Sequence, residues 1–333
     1  MAPFKVALVA IDAPEVPEWL VPELAKSKIE IAIHECTTPQ HLAEHASEAD
    51  VVWVFGGSRV VSAETLGILR SCGAIVRTGS GTDNIPVEHA TQLGIVVANT
   101  PDALSNAVAD HAIALLLTLI RQTARQDRAV RKGTWDSKTA WPDWHLAGST
   151  LGLVAFGRIA RKVARKTSGF EMNVLAYDPY VSAEEMSKYG VTAAALPELL
   201  TQSDFVSLHC PLTNETRQLV GEEQLRLMKP RSLLINTSRG PVVDETALIR
   251  ALKEGWIAGA GLDVFEQEPV ARDNPLLQQE NVVLTPHIGG YSAGFYERMW
   301  RASVETVIDL AQGLWPRSYV NPTVSPRWAL RNR

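Results

Sequence analysis

Arg239, Glu268 and His287 stand in three short runs: INTSRGPVVDE (235–245), GLDVFEQEP (261–269) and LTPHIGG (284–290). Their side chains supply a planar cation, a carboxylate and a group that titrates near neutrality. A guanidinium fork matches a carboxylate and polarises an adjacent carbonyl. An imidazole gives or takes a proton at working pH. A carboxylate beside it holds the ring and favours its protonated form. Together the three suit reduction of a 2-oxo acid, which needs a cation, a proton donor and a hydride source. Taken singly, each has a plainer reading: a strand-end surface charge, a loop acid and a structural histidine. Glu266, in the same run as Glu268, is the alternative acid.

A hydride source calls for a dinucleotide site, and residues 150–160 have the form of one. Leu151 to Phe156 is apolar and strand-like, Gly157 makes a turn, and a helical pattern follows with Ile159, Val163 and Ala164 among basic residues. A helix start offers unpaired N–H groups and positive dipole charge to a pyrophosphate. The glycine pattern is A-x-G-x-x-A, with Ala155 and Ala160 where glycines are usual. Alanine at the third place keeps the helix close to the strand; at the first it sits where glycine eases the turn. The same run also reads as a plain strand, turn and helix. Asp178 ends the next strand-like run, NVLAY, roughly twenty residues past the turn, where a carboxylate binds a ribose hydroxyl and repels a 2′-phosphate. That predicts NAD over NADP.

The elements needed to carry these groups are legible as alternating apolar runs and helical patterns, the mark of doubly wound α/β domains. Strands are predicted at 4–11, 29–34, 51–55, 74–77 and 95–98, then at 151–156, 173–177, 205–208, 232–236, 258–262 and 281–284. Residues 104–121 form a helix apolar enough to be buried, either under the domains or at a subunit interface. A second helix is predicted over 292–314, with Met299, Val304, Val307, Ile308 and Leu310 on its apolar face. The stretch 125–149 is loop-like and carries Trp135, Trp141 and Trp144.

Composition fits this plan. The 333 residues are 46% hydrophobic and 21% charged, enough for two domains with cores. A net charge of −5 gives no footprint for nucleic acid. Cys36, Cys72 and Cys210 form neither a disulfide framework nor a metal spacing, which suits a reducing cytoplasm and no metal. The first apolar run is too short for a membrane span or a signal peptide. The turn Thr78-Gly79-Ser80-Gly81 follows a strand and offers backbone amides to an anion, or is simply tight.

The chain resembles the D-isomer-specific 2-hydroxyacid dehydrogenases over nearly its whole length. The stretches that carry the resemblance are 77–101, 150–164, YDPY (177–180), SDFVSLHCPLT (203–213), 234–269 and TPHIGGYS (285–292). Within the family, GSGTDNI, YDPY, LHC and HIGGYS are similar to the branch of the C-terminal-binding-protein corepressors, and the phosphoglycerate dehydrogenases share the catalytic segments. The resemblance implies a Rossmann NAD-binding domain over 104–291 and a discontinuous, flavodoxin-like substrate domain over 1–103 plus 292–333. It implies Arg239 as the substrate arginine, His287 as acid/base and Glu268 as its partner, with a D product. Arg77 and the amides of Ser80 and Gly81 would hold the substrate carboxylate. Ala155, Phe156, Gly157, Arg158 and Ile159 would face pyrophosphate, with Asp178 at the ribose and His209, Cys210 and Pro211 near adenosine. Thr237, Ser238, Asp263 and Gly289 would lie on the nicotinamide side.

Substrate size is read from what departs from the pattern. The corepressors' tryptophan after the histidine is Gly290 here, which opens the pocket. Phe55 falls where phosphoglycerate enzymes place an arginine, against a phosphorylated substrate, although Arg59 is near. A small or medium apolar 2-oxo acid is expected. Trp141 or Trp144 would either enter a partner's pocket or pack on the 104–121 helix, the region expected to form a homodimer. The alternatives are an NADH-sensing protein of the corepressor kind and a formate- or phosphite-type dehydrogenase.

Overall fold

A computed structural model describes residues 3–135 and 144–333. The chain divides into two compact units, 1–104 with 292–333, and 105–291. Trp141 lies outside the described residues.

Unit 1 holds β1 (Phe4–Leu8), α1 (Leu20–Lys26), β2 (Ile29–Ile33), α2 (Pro39–Ala46), β3 (Val51–Val54), β4 (Ala74–Arg77), α3 (Val87–Gln92) and β5 (Val96–Asn99). The sheet is parallel with order β2-β1-β3-β4-β5. Its central strands are apolar at successive positions because both faces are covered. Val6, Leu8, Trp53 and Val76 face one layer, with Leu20 and Leu24 of α1 and with Trp300, Val304 and Val307 from the last helix of the chain (Phe295–Ala311). Ala7, Val52, Val54 and Ile75 face the other, with Leu42 of α2 and Ala90 of α3. Each fully buried large side chain contributes roughly 1.5–3 kcal/mol.

Unit 2 opens with α4 (Ser105–Arg121) and α5 (Thr123–Arg131). A seven-stranded parallel sheet follows: β6 (Thr150–Val154), β7 (Asn173–Tyr177), β8 (Thr192–Ala193), β9 (Phe205–Leu208), β10 (Leu233–Asn236), β11 (Gly259–Leu262) and β12 (Val282–Leu284). Between them run α6 (Arg158–Thr167), α7 (Ala183–Ser187), α8 (Leu196–Gln202), α9 (Glu222–Leu227) and α10 (Glu245–Glu254); α11 (Phe295–Ala311) then returns to unit 1. The order β12-β11-β10-β9-β6-β7-β8 reverses between β9 and β6. Unit 1 reverses between β1 and β3 in the same manner, and such a switch point opens a crevice at the carboxyl ends of strands.

The expected class, two doubly wound parallel-sheet domains of Rossmann and flavodoxin-like order, is what folds. α4 buries Ala109, Ala112, Leu115, Leu116 and Leu119 against β6, β10 and α6, which accounts for its apolar run within unit 2. Trp144 packs on that same core and donates Nε1–H to the Arg231 carbonyl at 2.7 Å. β1 ends three residues earlier than predicted, ahead of the turn at Asp12 and Pro14. β8 carries no sequence signal, being a two-residue edge strand with both side chains exposed.

Candidate active site

The loops after β10, β11 and β12 leave the same edge of the unit 2 sheet and bring the first three residues together. Asn236, the last residue of β10, accepts Ser238 N–H at 3.0 Å and the Ser238 hydroxyl at 2.8 Å, and donates to the Arg239 carbonyl at 2.9 Å. This ties the turn that projects Arg239. Gly240 follows because a β-carbon there would overlap the Phe265 carbonyl, so the arginine loop and the DVFEQEP loop lie backbone to backbone. Glu268 closes its own loop by accepting Phe265 N–H at 3.0 Å, and its other oxygen lies 2.6 Å from His287 Nδ1.

That contact assigns the histidine's two nitrogens. A carboxylate accepts only, so Nδ1 carries the hydrogen and Nε2 is left for chemistry. Partial burial pushes the Glu268 carboxyl up. The His287 bond, the Phe265 N–H and the charges of His287 and Arg239 outweigh it and hold the group below the usual glutamate range. His287 has φ of +53°, the left-handed region, which costs a side-chain-bearing residue about 1–2 kcal/mol. Its N–H donates to the Asp263 carbonyl at 2.8 Å, and the Asp263 carboxylate accepts the N–H groups of Ile288 at 2.9 Å and Gly289 at 2.8 Å. The backbone is thus held in a conformation it would not adopt freely.

The dinucleotide residues surround the switch point of the same sheet. Gly157 caps α6 with no side-chain cap, and the space beyond its α-carbon is open. Ala155 sits at φ +70°, the conformation a glycine would take for free. Phe156 is buried in the core, Ile159 packs beside it, and Arg158 begins the helix. Asp178, just past β7, accepts Phe156 N–H and Tyr180 N–H, both at 2.8 Å, and so ties the turn to the next strand. At the end of β9 the His209 Nε2 lies 2.9 Å from Ser207 Oγ, while its Nδ1 is shielded and has no partner among the described residues. Burial pulls His209 down to about 4 and pushes the adjoining Cys210 thiol up to about 11, so both stay neutral beside Pro211. Thr237 is 8% exposed with its hydroxyl unpartnered. An open helix start and two orphaned polar atoms are what a dinucleotide would complete.

Arg77, Ser80 and Gly81 belong to unit 1, at the carboxyl edge of its sheet. Arg77 ends β4 and donates to the Thr78 carbonyl at 2.7 Å. Asn99 donates to the Ser80 carbonyl at 2.7 Å and accepts the Ser318 hydroxyl at 2.6 Å. Thr100 Oγ1 accepts Gly79 N–H at 2.7 Å. None of the described residues accepts from the N–H of Ser80 or Gly81. The same edge holds a cavity of about 710 Å³ at the β1/β3 switch point. Phe55 stacks on Trp300 in its wall at 4.4 Å, and Asp12, Glu15, Glu35 and Glu297 line it.

Asn99, His111, Asn236 and Thr285 were not singled out from sequence, although each positions a candidate residue. Asn99, Asn236 and Thr285 lie within the family motifs, and His111 is a polar interruption in an apolar helix, a signal too common to select alone. Among the described residues no group of histidine, cysteine or acidic side chains could hold a metal ion, and no helix is long and apolar enough to cross a membrane.

Residues 113–289 match the family model described as D-isomer specific 2-hydroxyacid dehydrogenase, NAD binding domain. A glyoxylate reductase of Korarchaeum cryptofilum is 49% identical over 249 residues, 73% of this chain and 74% of that protein. A D-3-phosphoglycerate dehydrogenase of Archaeoglobus fulgidus is 36% identical over 94% of this chain and 59% of its own length. The identity is therefore higher to a glyoxylate reductase than to this phosphoglycerate enzyme. The structure of D-lactate dehydrogenase from Aquifex aeolicus, complexed with NAD and lactic acid, superposes with a TM-score of 0.79 at 31% identity, over 93% of this chain and 96% of that one. Motifs, sheet order, NAD-binding segment and relatives agree, and the chain belongs to the D-isomer specific 2-hydroxyacid dehydrogenase family.

Proposed function

We propose that this protein reduces a small 2-oxo acid to the D-2-hydroxy acid with NADH, His287 acting as the acid. The observation that carries the reading is the 2.6 Å contact from His287 Nδ1 to Glu268, which puts a hydrogen on Nδ1 and leaves Nε2 for proton transfer, while the Glu268 loop packs against Arg239's loop. NADH bound along the β6–α6 turn supplies the hydride. Asp178 disfavours a 2′-phosphate there. Arg239 binds the substrate carboxylate and polarises the carbonyl, so its stabilisation grows as negative charge develops. Imidazolium Nε2–H of His287 protonates that oxygen, and Glu268 steadies the ring through Nδ1–H. In the reverse direction, neutral His287 is the base.

The relatives named glyoxylate reductase favour a substrate with a short side chain. A homodimer in the cytoplasm is part of this proposal. α5 buries none of its residues, Val130 and Trp135 are 51% and 87% exposed, and the three cysteines are free thiols.

The test is NADH oxidation against glyoxylate, hydroxypyruvate, pyruvate, phenylpyruvate and branched-chain oxo acids, with NADPH in parallel. Turnover of a short-chain member that falls by about a thousandfold in Arg239→Ala is the expected result. Tight NADH binding with negligible turnover across the panel would favour a sensing protein instead.

A further inference from the structure

α4 carries one imidazole that the proposed chemistry does not use. The His111 side chain is 19% exposed, and its Nε2 lies 2.8 Å from Thr285 Oγ1 and 3.3 Å from Asp263 Oδ1. Thr285 Oγ1 in turn lies 2.6 Å from the same Asp263 oxygen. Asp263, 2% exposed, also accepts the N–H groups of Ile288 and Gly289, the two residues that follow His287. A β-carbon on Gly289 would stand 2.8 Å from Asp263 Oδ2, so the carboxylate reaches that amide only because the residue is glycine.

Proton counting gives this cluster a direction. An ionised carboxylate only accepts, and a threonine hydroxyl has one hydrogen. Thr285 donates that hydrogen to Asp263, so towards His111 its oxygen must accept. His111 Nε2 therefore carries hydrogen.

We propose that His111 is a positioning residue for the reaction: its Nε2–H locks the Thr285 hydroxyl onto Asp263, which stays ionised and grips the loop bearing His287. The activity arm of this inference rests on the reductase reading above. Burial pushes the Asp263 carboxyl up, and the bonds from His111, Thr285, Ile288 and Gly289 outweigh it and leave the group below the usual aspartate range. Among the neighbouring charged groups, Asp110 beside His111 turns onto Lys166 of α6 at 2.7 Å. Glu268, His287 and Arg239 lie on the loops, and β10 and β12 present no titratable side chain. Protonating Asp263 would release the two amides and loosen the left-handed turn at His287.

Proton–nitrogen correlation spectra of imidazole-labelled protein read the tautomer without any turnover, with His111 assigned by its loss in His111→Gln. The expected signal is a protonated Nε2 at neutral pH that shifts in Thr285→Val. A bare Nε2, or a signal that ignores Thr285→Val, overturns the relay. In turnover, His111→Leu is expected to lower kcat about tenfold at neutral pH. It should also move the acid limb of kcat/KM up by about one pH unit, since Asp263 then protonates more readily. His111→Gln, which keeps an N–H but does not titrate, restores both. An unmoved limb in His111→Leu overturns the proposal. A wild-type protein that turns over no oxo acid sinks the reductase reading, and the spectra then decide the relay alone.

Discussion

At the scale of single residues, Glu268 governs how His287 can act. It binds Nδ1 and so leaves Nε2 as the nitrogen open to the proposed chemistry, and its own carboxyl lies below the usual glutamate range because the bonds from His287 and Phe265 outweigh burial. The sign follows: a depressed carboxyl contributes its pairing above about 4.5, its ordinary value, and loses it as pH falls further. Wild-type activity should hold through mildly acid pH. Glu268→Gln is expected to cost roughly a hundredfold in kcat by freeing the ring, and to displace the acid limb; a superimposable pH–rate profile with full activity would remove Glu268 from the mechanism. The residue types were legible in the three motifs. The pairing of Glu268, rather than Glu266, with His287 was implied by the family motif, but which ring nitrogen meets the carboxylate was not, because it depends on how the loop turns that carboxylate inward.

At the scale of elements, the β6–α6 turn shows where local preference was overruled. Ala155 stands at the usual glycine position and is held at φ +70° by its N–H bond to the Tyr177 carbonyl and by the strands on either side. Ala155→Gly removes a left-handed cost of about 1–2 kcal/mol against a glycine entropy cost of about 0.5–1 kcal/mol. Urea unfolding should show a net gain of roughly 0.5–1 kcal/mol, and NADH affinity should not weaken. The end of β9 makes a second case. His209 is held neutral by burial, at about 4 against an ordinary 6.5. The unfolded chain takes up that proton first, so stability is full above about 6.5 and drains as pH falls towards 4. The loss is of order 3 kcal/mol at most. His209→Gln should flatten that stretch of the stability–pH curve. Strand positions were readable from apolar runs because both sheet faces are covered; the two-residue β8 was not, having no buried side chain to mark it.

At the scale of the molecule, each unit has its own two-layered core, so the chain should unfold as two cooperative transitions in scanning calorimetry. NADH at a hundred times its Kd should stabilise the NAD-binding unit by about 2.7 kcal/mol and shift its transition alone. A shift of the other transition by the cofactor would count against confining the dinucleotide to unit 2. By itself the sequence determined the fold class, the order of strands and helices and the motifs that place the chain in its family, because periodicity and short-range spacing are written along the chain. Only the tertiary structure decided the atoms and the supporting partners: Nδ1 as the His287 nitrogen on Glu268, His111 on Thr285, the Asp263 carboxylate under the loop that bears His287 and the Gly240 backbone against Phe265. Those contacts join residues from separate strand ends, and the geometry that selects one acceptor over another exists only once the sheet has brought its edge loops together.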